Sequence, residues 1–314
     1  MGGCDSIERP RDQINPINKI NPINNIQIKE NCERKIDSTQ FYDIVVPIQS
    51  IKDLTNGIEV KTSQRFKTEE ESLTNKKAVR IGIIGNSNKG KSFILSKLSK
   101  IEFPSGTSIK TEGLSIKYPD LKDFPNRNII LLDSAGLETP VLVNKNNDNT
   151  NTNCQNNNEE NKNKTIEEKN ADIFKEKSKE KIITELFLQD YIIYNSDILI
   201  IVVGILTYSE QKILNKIKTK LKREKSLNKS NNNLFVIHNL MTYTTVEQVE
   251  DYINQTLLKS ATFELEKKPP VNSESELSKG VCFWEKKSNQ QNLQIYHLIY
   301  ANEYSEAGNY YNEN

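Results

Sequence analysis

One eight-residue stretch constrains the fold of this 314-residue chain more than any other feature. It reads Gly85-Asn86-Ser87-Asn88-Lys89-Gly90-Lys91-Ser92, which fits the pattern G-x-x-x-x-G-K-[ST]. An apolar run at 79–84 precedes it, and a helical pattern beginning at Phe93 follows it. In such a loop the glycines allow a tight curl, so that backbone N–H groups and the positive end of the helix point at a polyphosphate. The sequence therefore predicts a strand, a phosphate-binding loop and a helix.

The pattern gives individual residues of the loop a role. We expect Lys91 to reach the β- and γ-phosphates of a nucleoside triphosphate and Ser92 to bind Mg²⁺. The whole loop, together with Phe93 after it, is interpreted as nucleotide-binding. The competing interpretation is a glycine loop in an ordinary strand-to-helix turn. The strand and helix patterns on either side favour the phosphate loop.

A second motif ends another apolar run, at 129–132, where Asp133-Ser134-Ala135-Gly136 fits D-x-x-G. An aspartate at such a strand end can hold Mg²⁺ through water, and the Gly136 N–H can bond a γ-phosphate and report its loss. Because the motif follows a phosphate loop and ends a neighbouring strand, it predicts a γ-phosphate switch. A hydroxyl from the intervening loop, 103–113, must then complete the Mg²⁺ shell in the triphosphate state.

Beyond the phosphate loop, strand patterns alternate with helix patterns. Strands are predicted at 114–118, 129–132, 198–203, 234–237 and 295–300, and helices at 171–194, 209–223 and 246–266. Thr207 and Glu210 offer the second of these helices a capping box. The predicted fold class is α/β, a doubly wound and mainly parallel sheet with helices on both faces and its ligand at the carboxyl ends of the strands.

The polar tracts indicate how the chain is divided. Residues 1–38, with Ile-Asn-Pro-Ile-Asn at 14–18 and again at 20–24, are predicted to be a disordered tether, because repeated prolines forbid helix and little apolar surface is available. Short alternating runs within 39–78 predict a β-hairpin that leads into the nucleotide domain. That domain is predicted at 79–314, with a disordered Asn- and Lys-rich insert at 144–170.

Composition excludes some classes of function. The chain has 43 basic and 42 acidic residues, a net charge of +1, so no nucleic-acid partner is expected. Its four cysteines are scattered and form no metal or disulfide pattern, which fits a reducing cytosol. No apolar run is long enough to span a bilayer.

The N-terminus, Met1-Gly2-Gly3-Cys4-Asp5-Ser6, fits the N-myristoylation pattern. One myristoyl chain binds a bilayer only marginally, so palmitate on Cys4 would be the second signal that makes attachment of Gly2-acylated protein stable. The alternative is a chance Met-Gly start. We expect a cytoplasmic protein that is tethered to the inner side of a membrane by its lipids.

The motifs together resemble the GTPase domain of guanylate-binding and dynamin-related proteins. The resemblance rests on three stretches: Gly90-Lys91-Ser92-Phe93-Ile94-Leu95 with Lys97 and Leu98; Phe103, Gly106, Thr111 and Gly113; and Leu131-Leu132-Asp133 with Gly136 and Leu137. It implies that Thr111 contacts Mg²⁺ and positions the attacking water, and that a nucleotide-dependent homodimer is a candidate assembly. No long helical stalk follows the domain, so membrane remodelling is not expected.

The base-reading residues depart from the usual pattern. Most GTPases carry Asn/Thr-Lys-x-Asp here, whereas this chain has His238-Asn239-Leu240-Met241-Thr242. Asn239 is the candidate to hold the edge of the base, but no carboxylate stands where one should meet the guanine amino group. By the same resemblance, Ala301 and Asn302 lie in the final base loop. For His238, base contact and burial in the core both remain open.

The sequence contains no obvious catalytic glutamine, because Leu137 stands in its place. The asparagine Asn88 resembles that of potassium-activated GTPases, where it helps to seat K⁺ beside the phosphates; the alternative is a local loop cap. Lys89 is a competing positive charge. The expected function is a Mg²⁺-dependent switch enzyme that binds GTP or GDP and hydrolyses GTP. The alternatives are a scaffold that barely hydrolyses nucleotide and an ATPase with the same loop.

Overall fold

The computed structural model describes residues 37–55, 57–74, 77–101, 103, 111, 113–120, 128–141, 165–225, 233–267, 282–286 and 293–312. The chain divides into two units, Met1–Ile36 and Asp37–Asn314, and all of these residues belong to the second. The predicted acylation sites, Gly2 and Cys4, lie outside the described residues. So do residues 1–36 of the predicted tether and most of the predicted insert, whereas 166–170, at the end of that insert, are helical and not disordered as predicted.

Ten strands of the described residues form one sheet. In chain order they are β1 (Ile44–Val46), β2 (Lys61–Thr62), β3 (Val79–Ile84), β4 (Leu114–Lys117), β5 (Ile129–Ser134), β6 (Ile198–Val203), β7 (Asn233–Leu240), β8 (Leu265–Lys267), β9 (Cys282–Glu285) and β10 (Ile295–Ala301). Their order across the sheet is β2-β1-β4-β5-β3-β6-β7-β10-β9-β8.

The sheet is mixed, which corrects the prediction of a mainly parallel one. Its centre, β5-β3-β6-β7-β10, is parallel throughout. The strands on both flanks are antiparallel: β4, β1 and β2 on one side and β9 and β8 on the other. Antiparallel neighbours need no helical crossover, so strands that follow one another in the chain, such as β8, β9 and β10, can pair directly.

Helices cover both faces of the sheet, as predicted. They are α1 (Gln64–Thr74), α2 (Lys91–Ser99), α3 (Ile166–Asn195), α4 (Tyr208–Lys225), α5 (Val246–Tyr252) and α6 (Glu306–Tyr311). Alternate residues of β3 face opposite layers, with Ile83 packing in the layer that contains α2 and Ile84 in the layer that contains α3, α4 and α5. This period of two is what a strand buried on both faces requires.

The end of α5 differs from the prediction of a helix through 266. The α-helix ends at Tyr252, one π turn follows at Ile253–Leu257, and the chain then enters the short strand β8. The Ser260 hydroxyl accepts a hydrogen bond from the Thr262 N–H at 3.3 Å. This bond lies beyond the last helical turn, and local side-chain bonds of this kind favour turns over helix.

A buried acidic residue fastens β1 to the sheet. Asp43 is 1% exposed. Its carboxylate pairs with the Lys117 ammonium at 3.2 Å and accepts hydrogen bonds from the Ser63 hydroxyl at 3.2 Å and the Tyr118 N–H at 2.8 Å. The predicted lead-in, 39–78, therefore pairs with a strand of the predicted nucleotide domain, since β1 lies next to β4. It also contains α1, which the sequence reading missed.

Within the described part of the chain, no helix combines the length and the apolar character needed to cross a bilayer.

Candidate functional site

The predicted phosphate loop connects the buried end of β3 to the first turn of α2. Gly90 ends the loop with φ at 88°, in the left-handed region. A side chain at this position would place its Cβ 2.1 Å from Asn239 Nδ2. Glycine is therefore required at Gly90 by both its backbone conformation and the close approach of Asn239.

The Lys91 side chain turns into this loop. Its Nζ donates to the carbonyl oxygens of Gly85 and Asn86, each at 3.1 Å, and the residue is only 8% exposed. Burial lowers the pKa of Lys91, and the nearby Asp133 carboxyl opposes that shift. The Lys91 ammonium is thus held at the centre of the loop by carbonyl oxygens. From this position the side chain could turn towards a phosphate.

Asp133 lies beside this cation at the end of β5 and is completely buried. Its Oδ2 accepts hydrogen bonds from the Thr111 hydroxyl at 3.1 Å and the Tyr42 hydroxyl at 2.6 Å, and its Oδ1 accepts from the Ser134 N–H at 2.9 Å. Burial raises the pKa of Asp133, while Lys91 acts against that shift. The structure therefore brings together Lys91, Thr111 and Asp133, three site residues that the sequence predicted from separate motifs.

The segment after Asp133 pairs directly with the phosphate loop. The Ser87 N–H donates to the Leu137 carbonyl at 2.8 Å, and the Leu137 N–H donates to the Gly85 carbonyl at 3.2 Å. A Cβ on Gly136 would lie 2.8 Å from Lys91 Nζ and 2.7 Å from the Ser87 Cα. Gly136 is therefore packed against the loop, where its backbone is near the cation that would meet a phosphate.

Three residues predicted to bind Mg²⁺ carry oxygen atoms that could hold it. Thr111 and Asp133 meet through their hydrogen bond, and Ser92 lies in the first turn of α2, next to Lys91. Hydroxyl and carboxylate oxygens are ligands that Mg²⁺ accepts, with water and phosphate completing its shell. Among the described residues, no group of three or more His, Cys, Asp or Glu side chains could hold a metal by itself.

Of the residues predicted to hold the base, Asn239 lies against the loop. Asn239 Nδ2 donates to the Lys89 carbonyl at 2.9 Å, and Asn302 Nδ2 donates to the Met241 carbonyl at 3.1 Å. The first bond ties the end of β7 to the phosphate loop, and the second joins the loops after β7 and β10. Thr242, which stands where a base-reading carboxylate was expected, is exposed. Ala301 is fully buried and its backbone bonds to Asn312.

Aromatic and charged contacts complete this edge. The Phe93 ring meets the Tyr300 ring edge-on, with centroids 5.2 Å apart. Lys97 forms an ion pair with Glu303 in the loop after β10. The Glu303 carboxylate, within the predicted base loop, is therefore already paired.

His238 faces the core rather than the nucleotide edge. It is 0% exposed. Its Nδ1 lies 2.8 Å from the Tyr252 hydroxyl and its Nε2 lies 3.0 Å from His297 Nδ1. Both ring nitrogens of His238 are therefore engaged inside the protein. Of the two roles that the sequence left open, base contact and burial in the core, the structure shows burial in the core. Asn88 is exposed, with φ at 60° in the left-handed region.

Sequence reasoning missed two contributors to this site. Tyr42 donates to Asp133, yet it lies in the lead-in segment, far from every motif, and its pattern gave no signal. Glu210 was noticed only as a capping residue, but it also pairs with Lys89 at 3.1 Å. Lys89 of the loop therefore has a charged partner inside the protein.

Comparisons with known proteins give distant similarities. No family model matches the chain. A heat shock protein of Dictyostelium discoideum is 23% identical over 292 residues, which cover 87% of this chain. The chain spans 38% of the length of that relative.

Two solved structures resemble the chain in part. The Arl6 BBS3 small GTPase of Trypanosoma brucei, with bound nucleotide analogue GppNp, is 10% identical, with a TM-score of 0.33 over 74% of this chain and 90% of that one. A GTP-binding protein of Sulfolobus solfataricus, in complex with GDP, is 15% identical, with a TM-score of 0.28 over 61% of this chain and 45% of that one. TM-scores this low do not establish a relationship with either protein.

Proposed function

We propose that this protein is a Mg²⁺-dependent switch that binds GTP and GDP and hydrolyses GTP. The observation that carries the proposal is the convergence of Lys91, Thr111, Asp133 and Gly136 on one loop at the carboxyl ends of β3 and β5. These residues come from three separate motifs. The arrangement suits a ligand with several phosphates, because the Lys91 ammonium, the Gly136 backbone and the Thr111 hydroxyl lie together around the loop.

Each residue would have one task in the switch. Lys91 turns from the loop carbonyls to the β- and γ-phosphates, and the Gly136 N–H bonds the γ-phosphate. Thr111 positions the attacking water. Mg²⁺, held by Ser92, Thr111 and Asp133, would supply positive charge to the phosphates. When the γ-phosphate leaves, Thr111 and Gly136 lose their ligand, and the segments that carry them relax.

Hydrolysis would rest on backbone and hydroxyl groups rather than on a glutamine. Leu137, in the place of a water-orienting glutamine, contacts the phosphate loop through its backbone. Such a site is expected to be slow unless a further positive charge is supplied. K⁺ near Asn88 is our candidate for that charge, and a homodimer is the second. The narrower resemblance to guanylate-binding and dynamin-related proteins belongs to the same proposal.

ATP is the second candidate substrate. Two features favour it. Thr242 occupies the place of the carboxylate that would read guanine. Glu303, an acid in the loop after β10, is already paired with Lys97. Asn239 is left to hold the base, and an asparagine side chain can face either purine because it both donates and accepts.

One experiment separates the switch from both alternatives. Single-turnover hydrolysis of GTP and of ATP is measured with wild type, Asp133→Asn and, as a matched surface control, Asp251→Asn, with and without Mg²⁺. We expect Mg²⁺-dependent release of phosphate from GTP, lost in Asp133→Asn and kept in Asp251→Asn. Binding without phosphate release would favour the scaffold, and a preference for ATP would favour the ATPase.

We also propose that N-terminal acylation places the protein on the inner side of a membrane. The basis is the Gly2 and Cys4 pattern with the need for two lipid signals. We expect Gly2→Ala to move the protein from the membrane fraction to the cytosol. Cys4→Ser should weaken attachment while leaving myristate in place. Unchanged fractionation of Gly2→Ala, with no myristate detected in wild type, would refute the proposal.

A further inference from the structure

A buried carboxylate at the start of α4 lies against the phosphate loop. Glu210 is 2% exposed and its carboxylate has four donors. Its Oε2 accepts from the Thr207 N–H at 3.0 Å and from the Thr207 hydroxyl at 3.3 Å. Its Oε1 accepts from the Gly204 N–H at 3.1 Å and pairs with Lys89 Nζ at 3.1 Å.

Only half of these contacts belong to a helix cap. In a capping box, the acidic side chain reaches back to the N–H of the capping residue, here Thr207, and one oxygen is enough for that bond. The other oxygen of Glu210 is used for Gly204 and for Lys89. The carboxylate therefore joins two separate parts of the site, the end of β6 and the phosphate loop.

Lys89 is held at both its ends. Its side chain pairs with Glu210, and its carbonyl accepts the hydrogen bond from Asn239 at 2.9 Å. On either side of it the chain has unusual backbone angles, with φ at 60° for Asn88 and 88° for Gly90. A left-handed backbone costs free energy for a residue with a Cβ, such as Asn88, and persists only where neighbouring contacts fix it, whereas glycine adopts it without that cost. The two contacts of Lys89 supply that restraint at the middle of the loop.

The segment 204–207, which leads into α4 and Glu210, is fixed as well. The Leu206 N–H, between Gly204 and Thr207, donates to the Tyr252 hydroxyl at 3.3 Å. Tyr252 is a buried residue of α5. The segment that places Glu210 is therefore attached to the core and does not move freely with the loop.

We propose that Glu210 is a positioning residue for the phosphate loop, acting through Lys89. The inference rests on the proposed function, because the loop is taken to bind a nucleotide. A loop already held in its binding conformation loses less conformational entropy when the ligand binds, so the ion pair raises affinity without contacting the ligand. The pair also engages the charge of Lys89, which leaves Lys91 as the loop lysine that faces the phosphates.

The test is a double-mutant cycle on nucleotide affinity. The variants are Lys89→Met, Glu210→Gln and the two combined, with Lys89→Arg as the conservative replacement. Glu210→Gln keeps an oxygen for the Thr207 cap but sets an amide nitrogen against Lys89. Glu247→Gln, the same change in the exposed first turn of α5, is the matched control. Affinity and dissociation rate are measured with fluorescent GDP.

We expect each single variant to bind GDP about tenfold more weakly, mainly through faster dissociation, and the double variant to bind no more weakly than either. Lys89→Arg should keep most of the wild-type affinity for GDP, because arginine can also pair with Glu210. Glu247→Gln should bind GDP as tightly as wild type does. Additive losses, or unchanged affinity with only a lower melting temperature, would overturn the proposal, because a merely structural role predicts them.

Failure of the proposed function gives a different result. If wild type binds no nucleotide, the phosphate-loop assignment fails, but hydrogen exchange in the nucleotide-free protein still tests the restraint. In that measurement, faster exchange of the amides of 88–91 in Glu210→Gln than in Glu247→Gln supports the positioning role. Equal exchange in the two variants contradicts it.

Discussion

The two histidines of the chain form a buried chain of hydrogen bonds that should make stability depend on pH. His238 and His297 are both 0% exposed and stack with centroids 5.3 Å apart. His297 Nε2 lies 3.2 Å from Glu285 Oε1 and must donate to it. In a neutral ring His297 Nδ1 then accepts from His238 Nε2, and His238 Nδ1 accepts from the Tyr252 hydroxyl.

This arrangement satisfies every group only when both rings are neutral. Burial lowers the pKa of His238 well below its usual value, and the His297 ring lowers it further. Burial also lowers the pKa of His297, against the opposing effect of Glu285. Lys218 is the other charged group next to this chain of hydrogen bonds, and its ammonium lies 2.6 Å from the Glu285 carboxylate. An added proton would therefore be placed in a buried site that already holds an ammonium.

The sign and size of the effect follow from linkage. The unfolded histidines take up protons below a pKa of about 6.5 while the folded ones do not, so stability is complete above that pH and is lost as the pH falls through it. Between pH 7.5 and 5.5 a histidine that stays neutral in the folded protein lowers the free energy of unfolding by about 1.4 kcal/mol, which is the effect expected for His238. His297 adds to the loss in the same direction, because burial lowers its pKa as well. Asp133 contributes with the opposite sign, because burial raises its pKa.

The assay is denaturant unfolding at pH 7.5, 6.5 and 5.5 at constant ionic strength, for wild type and His297→Gln. The free energy of unfolding should depend less on pH in His297→Gln than in wild type, because the variant has one buried histidine fewer. Histidine-labelled NMR of the folded protein gives only two imidazole signals, and both should stay in the Nε2–H form through the range. The reasoning is refuted if either ring titrates near pH 6.5 in the folded protein, or if the free energy of unfolding is the same at all three pH values.

Two further predictions concern the edge of the sheet and the loop. Asp43→Ala should lower the free energy of unfolding by about 3–5 kcal/mol, because it leaves Lys117 buried without a counter-charge; chemical denaturation measures it, and a loss below about 1 kcal/mol would show that the ion pair is not structural. GTP hydrolysis should be faster in K⁺ than in Na⁺ at equal ionic strength and lose this difference in Asn88→Ala, where K⁺ would act like the positive charge of an arginine finger. Equal rates of wild type in the two salts, at several protein concentrations, would rule that mechanism out.

The central strands could be predicted because their burial leaves a local signature. The runs at 129–132 and 198–203 are apolar on both faces, and the structure places them in the parallel centre of the sheet. The strand, loop and helix around 85–92 could also be predicted, because glycine, lysine and serine have fixed spacings in that motif. The predicted Thr207 and Glu210 capping box is also present.

The flanks of the sheet could not be predicted in the same way. Strands such as β8 and β9 are three and four residues long, too short for a clear period of two. The sequence also carries no signal for pairings between distant segments. Tyr42 reaches Asp133 across 91 positions, and Lys89 meets Glu210 across the ends of two strands. Local patterns specify elements, whereas these contacts depend on the order of strands in the sheet.

Equilibrium titration of the full chain with GTP in the presence of Mg²⁺ tests the central claim most directly. Wild type is compared with Lys91→Ala and with Lys222→Ala, which removes an exposed lysine of α4 and serves as the matched control. Because Lys91 is the buried cation of the loop, we predict binding by wild type and by Lys222→Ala, and a loss of at least a hundredfold in affinity for Lys91→Ala, whose circular dichroism should stay unchanged. Equal affinity of Lys91→Ala and wild type, or no binding of any nucleoside triphosphate by folded wild type, would contradict the account.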